Sequence, residues 1–455
     1  MLNFDVDKFS DIFFKVILII VTLILLVNIF GYFHELGYDG EHHKWYIEVL
    51  PFDLPKDTDT KEFFSPPLPY FFPSIIDSIC DKTNEINITN LNCTLVYGKI
   101  TQALQAIMLI SIFFILKKIS FLIYPDNNQH FLSLILLFAM IPVTYKSFAM
   151  IRGEPYISFF MFLSIYLIIS ICYKLKDINT KNIFLTGLFL GSMGLSRQWG
   201  LLFFPSLVVL LIFVIRSNDK RFNLNFLRYS FLSFIVSFII FGWFYATLFF
   251  EYGSITAFNR DPSSFSFRNQ PLSFYFGLGL NDIFSKPIRG FSMTNMVLPV
   301  LYADTWGDYW GYFNVTMGRG GLDTNYEIVP YLGRVNLISL FPTLCFIFGI
   351  FLFIKNQKFM KNERIFYILI FSAINFIWLG YLWFLIKYPI PSKGDTIKAT
   401  YILNLIHLLP FFGSYFLERI KIYNSKLFNL FFAILVIIFI HNIPAMITRF
   451  FGGYS

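Results

Sequence analysis

Ten residues, Gly37-Tyr38-Asp39-Gly40-Glu41-His42-His43-Lys44-Trp45-Tyr46, gather two carboxylates and two imidazoles just beyond the first long apolar run. Ionisable groups at a bilayer boundary are costly to place and more often chemical than decorative. A carboxylate there can take the proton of an attacking hydroxyl, and a cation beside it can hold a departing phosphate. Asp39 is the first candidate base and Glu41 the second. His42 and His43 point to different faces of a helix and make a weak ligand pair, so no metal set is expected; His43 is a weak candidate for acceptor contact. The competing account is a solvated loop whose acids cap a helix starting near His42.

Partners for such a base lie elsewhere in the chain. Arg152-Gly153-Glu154-Pro155 sets Glu154 in a turn as a second acid, orienting base or acceptor, or else as half of an Arg–Glu pair closing that turn. Gly194-Leu195-Ser196-Arg197-Gln198-Trp199-Gly200 presents a guanidinium suited to a lipid phosphate, because it stays charged and offers a forked donor edge; interfacial anchoring beside Trp199 is the alternative. Lys398 and Tyr401 stand three apart and share a helical face, where an ammonium balances a phosphate and a hydroxyl donates to it. Asp395, Pro389 and Pro391 build the approach to them. Tyr302 to Tyr312 alternates aromatics with Asp304 and Asp308, weak acceptor-site candidates, since rings and carboxylates suit sugars; the same composition suits an amphipathic segment on the bilayer. Asn259-Arg260-Asp261-Pro262 shares that loop. Lys146 is expected to snorkel, and His34, Asn375 and His407 to pack.

The elements that must position these residues are membrane helices. Hydrophobic residues make up 56% of the 455 and charged ones 14%, with the apolar residues in runs, so a water-soluble fold is excluded. An all-α polytopic membrane protein of about eleven transmembrane helices is expected, at roughly 20 residues per span: near 13–33, 100–116, 131–146, 156–173, 183–196, 199–215, 229–249, 336–354, 365–386, 399–416 and 428–447. The first is read as a retained helix, since Asp5, Asp7 and Asp11 spoil a signal peptide's cationic start. The chain reads as a single membrane-embedded domain over 1–455 with two long outer loops, 37–99 and 250–335.

Lys and Arg number 36 against 28 Asp and Glu. They cluster in five short loops (Lys117/Lys118; Lys174/Lys176/Lys181; Arg216/Lys220/Arg221/Arg228; Lys355/Lys358/Lys361/Arg364; Arg419/Lys421/Lys426), an orientation signal placing those loops on the cytoplasmic side. No basic stripe implies nucleic acid. The same signal favours two short spans over 183–215, with Arg197 at the outer turn. Asn87, Asn92 and Asn314 head sequons on the outer side. Cys172 and Cys345 read as packing residues; Cys80 and Cys93 share one polar loop, either bridged or free.

Tyr38-Asp39-Gly40-Glu41-His42-His43, followed by Phe64-Ser65-Pro66-Pro67-Leu68, resembles the first outer loop of the GT-C glycosyltransferases, in particular the branch of protein O-mannosyltransferases and the aminoarabinose (lipid A) transferase. The resemblance implies an inverting membrane glycosyltransferase using a polyprenyl-phosphate sugar, with the first-loop Asp as base; by position that is Asp39. Gly40 stands where that pattern has its second acid, and Glu41 comes one residue later. By the same resemblance Lys398 and Tyr401 contact the donor phosphate, and Glu154 is the acid of the second outer turn. The acceptor is a lipid, glycan or protein hydroxyl on the periplasmic or lumenal face, and no cofactor is called for. A transporter or a non-catalytic polymer-assembly protein is the alternative, but transporters favour mid-membrane charges and repeated halves, and no repeat is evident.

Overall fold

The structure, a computed structural model, describes residues 6–451 except 87, 89, 126, 218–219, 259–261, 290–294, 357–362, 391–393 and 395. The Asn87 sequon, Asn259-Arg260-Asp261, Lys358, Lys361, Pro391 and Asp395 therefore lie outside the described residues.

Long apolar runs become helices because only internally bonded backbone is stable in hydrocarbon. In chain order they are α1 (Val6–Gly31), α2 (Gly40–Val49), α3 (Leu68–Glu85), α4 (Cys93–Ile123), α5 (Asn128–Ala139), α6 (Pro142–Ala149), α7 (Glu154–Cys172), α8 (Thr180–Gly194), α9 (Phe204–Ser217) and α10 (Lys220–Tyr252). There follow α11 (Leu272–Phe276), α12 (Leu280–Ser285), α13 (Val297–Trp306), α14 (Val329–Ile338), α15 (Leu340–Asn356), α16 (Arg364–Lys387), α17 (Leu403–Tyr423) and α18 (Ser425–Asn442). Asparagine side chains cap α4, α5, α8 and α18, each accepting a first-turn N–H, as expected of that residue at helix starts.

Among the described residues nine helical segments are long and apolar enough to cross a bilayer, ten if α5 and α6, bent by 57°, form one broken span. The break falls at Pro142, which lacks an N–H for the preceding turn. The one expected span not among these, near 183–196, is α8, which has 15 residues, about 22 Å of helix against a hydrocarbon core of about 30 Å. It is nonetheless held between α7 and α10. Gly187 and Gly191 let it approach α10 closely: a Cβ at Gly191 would stand 2.7 Å from the Cβ of Ile240, the small-residue contact that membrane helices use.

The basic loops converge on one end. Lys117 pairs with Asp11 at 2.8 Å, Asn127 donates to Glu418 at 3.2 Å, and Arg419 faces Glu363 at 3.8 Å. Arg364 lies over the Phe213 ring and Lys174 over Phe222. The two long loops lie at the other end of the helices. There Asn28 donates to the Met446 carbonyl at 2.8 Å and accepts from the Thr448 N–H at 2.9 Å, joining the first helix to the last segment of the chain. Cys80 and Cys93 are bridged, tying α3 to the start of α4, and Cys172 and Cys345 are buried free thiols.

Candidate active site

Helix α2 begins one residue after Asp39, which occupies the N-cap in the left-handed region (φ 53°), a conformation short acidic side chains tolerate. Its carboxylate makes no capping bond. It turns instead to Lys398, whose ammonium lies 3.3 Å from Oδ2. The capping account of this acid is thereby excluded. Gly40 has its own reason: a Cβ there would run into the backbone of Glu35, so no second acid fits at that position. Glu41 is exposed and does not line the cavity described below.

Lys398 precedes a short 3-10 turn, Ala399–Ile402, that leads into α17. Its backbone N–H donates to the Tyr381 hydroxyl at 2.9 Å, and its ammonium reaches the Tyr401 hydroxyl at 3.4 Å. Burial alone would lower its pKa, but Tyr401 and Asp39 hold it above the ordinary lysine value. Conversely, the Lys398 ammonium, with Arg152 and His43 behind it, keeps Asp39 well below the usual carboxylate range. The Asp39 side chain is 43% exposed and Lys398 12%.

Behind the pair lies a buried ionic lattice. Arg197 donates to Glu62 at 2.8 Å, to Ser65 at 2.7 Å and to Tyr70 at 3.4 Å, and its Nε stands 3.8 Å from Glu154. Glu154 in turn accepts from Arg152 Nε at 3.2 Å, and Arg152 Nη1 donates to the Tyr38 carbonyl at 3.1 Å. Glu154 thus closes its turn with Arg152 and faces the first outer loop through the Arg152 and Arg197 guanidinium groups. His43 is buried, its Nδ1 against the Tyr70 hydroxyl at 2.9 Å. Burial pushes its pKa down to about 4, against the pull of Glu62. Burial would raise Glu62, but the Arg197 charge wins and holds it at about 2.

Asp304 and Asp308 do not face acceptor space: both are wholly buried. Asp304 accepts from the Tyr38 hydroxyl at 3.1 Å and from the Ala399 N–H at 2.7 Å, and is paired with Lys146. One buried carboxylate therefore fixes the neighbours of both Asp39 and Lys398. Asp308 gathers the N–H groups of Phe313 at 2.8 Å and Asn314 at 2.6 Å. Lys146, expected at the interface, is buried between these acids because its charge has partners there. Asn314, expected as an outer sequon, is fully buried, its amide donating to the Ile447 carbonyl at 2.6 Å.

A cavity of about 320 Å³ opens over the pair, lined by Asp39, Lys398, Tyr401, Arg197, Trp199 and Tyr38 among others. Of the residues expected at the site, Asp39, Arg197, Lys398 and Tyr401 line it, whereas Glu41, His43, Glu154, Asp304 and Asp308 do not. Sequence reasoning missed Glu62, which stands two positions before the Phe64-Ser65-Pro66-Pro67-Leu68 signal. Lys61, Arg289 and Arg319 also line the cavity, and no local signal marks them. An acid and a cation 359 residues apart, set above a pocket of this size, can hold a phosphate and accept a proton within one small volume.

Over 97% of its length the chain is similar in structure to the archaeal oligosaccharyltransferase AglB from Archaeoglobus fulgidus, solved in complex with an inhibitory peptide and a dolichol-phosphate, with a TM-score of 0.51 and 11% sequence identity. The apo form of the Archaeoglobus fulgidus oligosaccharyltransferase matches 96% of the chain with a TM-score of 0.48 and 11% identity. The chain covers 56% of each of those chains. No protein-family model and no curated protein matches it in sequence. The likeness to the first of these structures shows the fold alone: an all-α arrangement of membrane-length helices shared with that archaeal protein.

Proposed function

We propose that this chain is an integral membrane glycosyltransferase that moves a sugar from a polyprenyl-phosphate donor to an acceptor hydroxyl with inversion. The carrying observation is the Asp39–Lys398 pair, 3.3 Å apart on the wall of a cavity at the end of the bundle opposite the basic loops. Asp39 is the base. Lys398 and the Tyr401 hydroxyl take the donor phosphate. Arg197, whose Nη1 is already shared among Glu62, Ser65 and Tyr70, holds the first loop against the cavity and lends it positive potential. Arg152 and Glu154 position Asp39 through the Tyr38 carbonyl.

The pairing also suggests an order of events. With Lys398 as its counter-ion, Asp39 is a poor base. A donor phosphate that draws the ammonium away restores the proton affinity of the carboxylate, so the base becomes competent when the donor is in place. Deprotonation of the acceptor hydroxyl and departure of the lipid phosphate then proceed on opposite faces of the sugar, giving inversion. The basic loops support a site on the periplasmic face of an inner membrane, or on the lumenal face in a eukaryote. The Asp39 loop favours the mannosyl- and aminoarabinosyltransferase branch of the fold, and the acceptor is a lipid, glycan or protein.

The test is transfer from a polyprenyl-phosphate-linked sugar by the full chain in lipid nanodiscs. Asp39→Asn should lower the single-turnover rate by about 10²-fold or more, the usual contribution of a general base, with donor binding no weaker, since Lys398 then loses a competing carboxylate. Lys398→Gln should weaken binding of the short-chain probe citronellyl phosphate. Full turnover in Asp39→Asn would end the proposal.

A further inference from the structure

The cavity carries more positive charge than one phosphodiester needs. Among the described residues its lining holds Lys61, Arg197, Arg289, Arg319 and Lys398 against Asp39 and Glu62. Lys398 and Arg197 are matched by those two carboxylates. Lys61 and Arg319 have no carboxylate partner among the described residues. Counting only Lys61 and Arg319, a singly charged donor phosphate would still leave a surplus of about one positive charge in a walled space, where fields are focused.

Three of these cations sit on one strip of aromatic rings. Arg289 lies 5.0 Å over Trp310, Lys398 5.0 Å over Tyr38, and Arg319 3.9 Å over Tyr312. The strip is continuous, because Tyr38 meets Trp310 at 6.3 Å and Tyr312 at 4.9 Å, both edge-on. A guanidinium laid on a ring is held by its face and keeps its N–H edge for a carboxylate or phosphate. Arg319 is fixed further: its Nη1 donates to the Leu36 carbonyl at 3.0 Å and the Gly37 carbonyl at 3.3 Å, just ahead of Asp39. It is thus oriented, tied to the loop of the proposed base, and free of a compensating acid.

We propose that Arg319, seated on the Tyr312 ring, forms a second anion subsite beside Asp39. It holds a carboxylate or phosphate group beyond the one at Lys398, carried either by an acidic acceptor or as a second phosphate on the donor. This deepens the glycosyltransferase reading and rests on Lys398 taking the first phosphate.

The experiment is calorimetric titration of the full chain in nanodiscs with citronellyl phosphate, citronellyl diphosphate, and glucuronate in the presence of saturating citronellyl phosphate. Arg319→Gln should weaken the diphosphate or the glucuronate about tenfold or more, a loss of about 1.4 kcal/mol, while citronellyl phosphate shifts less than about twofold. Sensitivity of the diphosphate assigns the second anion to the donor; sensitivity of glucuronate assigns it to the acceptor. If Arg319→Gln harms citronellyl phosphate as much as Lys398→Gln does, there is one anion site and the proposal is overturned. It is equally overturned if neither second probe responds. Should Arg319→Gln fail to fold, Tyr312→Leu, which removes the ring and keeps the charge, is expected to weaken the same probe, and an unchanged affinity overturns the proposal. Indifference of citronellyl phosphate to Lys398→Gln would count against the donor reading and leave the Arg319 comparison readable by itself.

Discussion

At the scale of single residues, the site is governed by what each ionisable group has for a neighbour. Asp39 and Glu62 both titrate below the usual carboxylate range, yet for different ends. Asp39 is 43% exposed and lines the cavity, whereas Glu62 is sealed against Arg197. His43 gives a pH signature of this burial. Its folded pKa of about 4 lies below the ordinary value of 6.5, so the unfolded chain binds the extra proton between them. The stability it contributes is complete above about pH 6.5 and is lost as pH falls toward about 4. The thermal midpoint of the wild-type chain should therefore drop more steeply across that window than that of His43→Asn, and parallel curves would refute the assignment.

At the scale of elements, the first outer loop is pinned to the α8–α9 turn by ions rather than by packing alone. Arg197 and Glu62 are both buried, and removing one partner strands the other charge in a low-dielectric interior. Arg197→Gln should cost about 3–5 kcal/mol, and adding Glu62→Gln should recover a large part of it. Denaturation of the two variants and the double variant measures the coupling, and additive losses would show that the pair does not act as a unit. Asp304 performs a comparable service on the other wall, bonding the residue before Asp39 and the residue after Lys398. The segment from Tyr302 to Tyr312 was legible as special, but its acids were read as sugar-facing. Alternating aromatics and acids look the same whether they line a binding surface or a buried clamp. What decides is the presence of Lys146 on α6 and of the 399 backbone, both far off in sequence.

For the whole molecule, the question is which end of the bundle meets which compartment. The described bases of the basic loops gather at the end away from the cavity, and the Cys80–Cys93 bridge lies on the cavity side with the first outer loop. A bridge there is consistent with an oxidising compartment, since disulfides are rare in reducing cytosol. In intact cells a membrane-impermeant maleimide should label these cysteines only after treatment with an impermeant reductant, and the buried Cys172 and Cys345 not at all. Labelling without reduction, or only after permeabilisation, would reverse the orientation or remove the bridge.

By itself the sequence determined the helices, their approximate number, the clustering of bases, and Asp39, Lys398, Tyr401 and Arg197 as groups worth watching. These are readable because hydrophobic run length, turn residues and charge placement are properties of contiguous chain. Only the tertiary structure decided that α8 falls short of a full span, that Glu154, Asp304 and Asp308 serve as clamps, and that Arg289 and Arg319 face the same cavity. Those outcomes depend on which side chain neutralises which. In a membrane fold that pairing is made by helices meeting across hundreds of residues, where no local pattern records it.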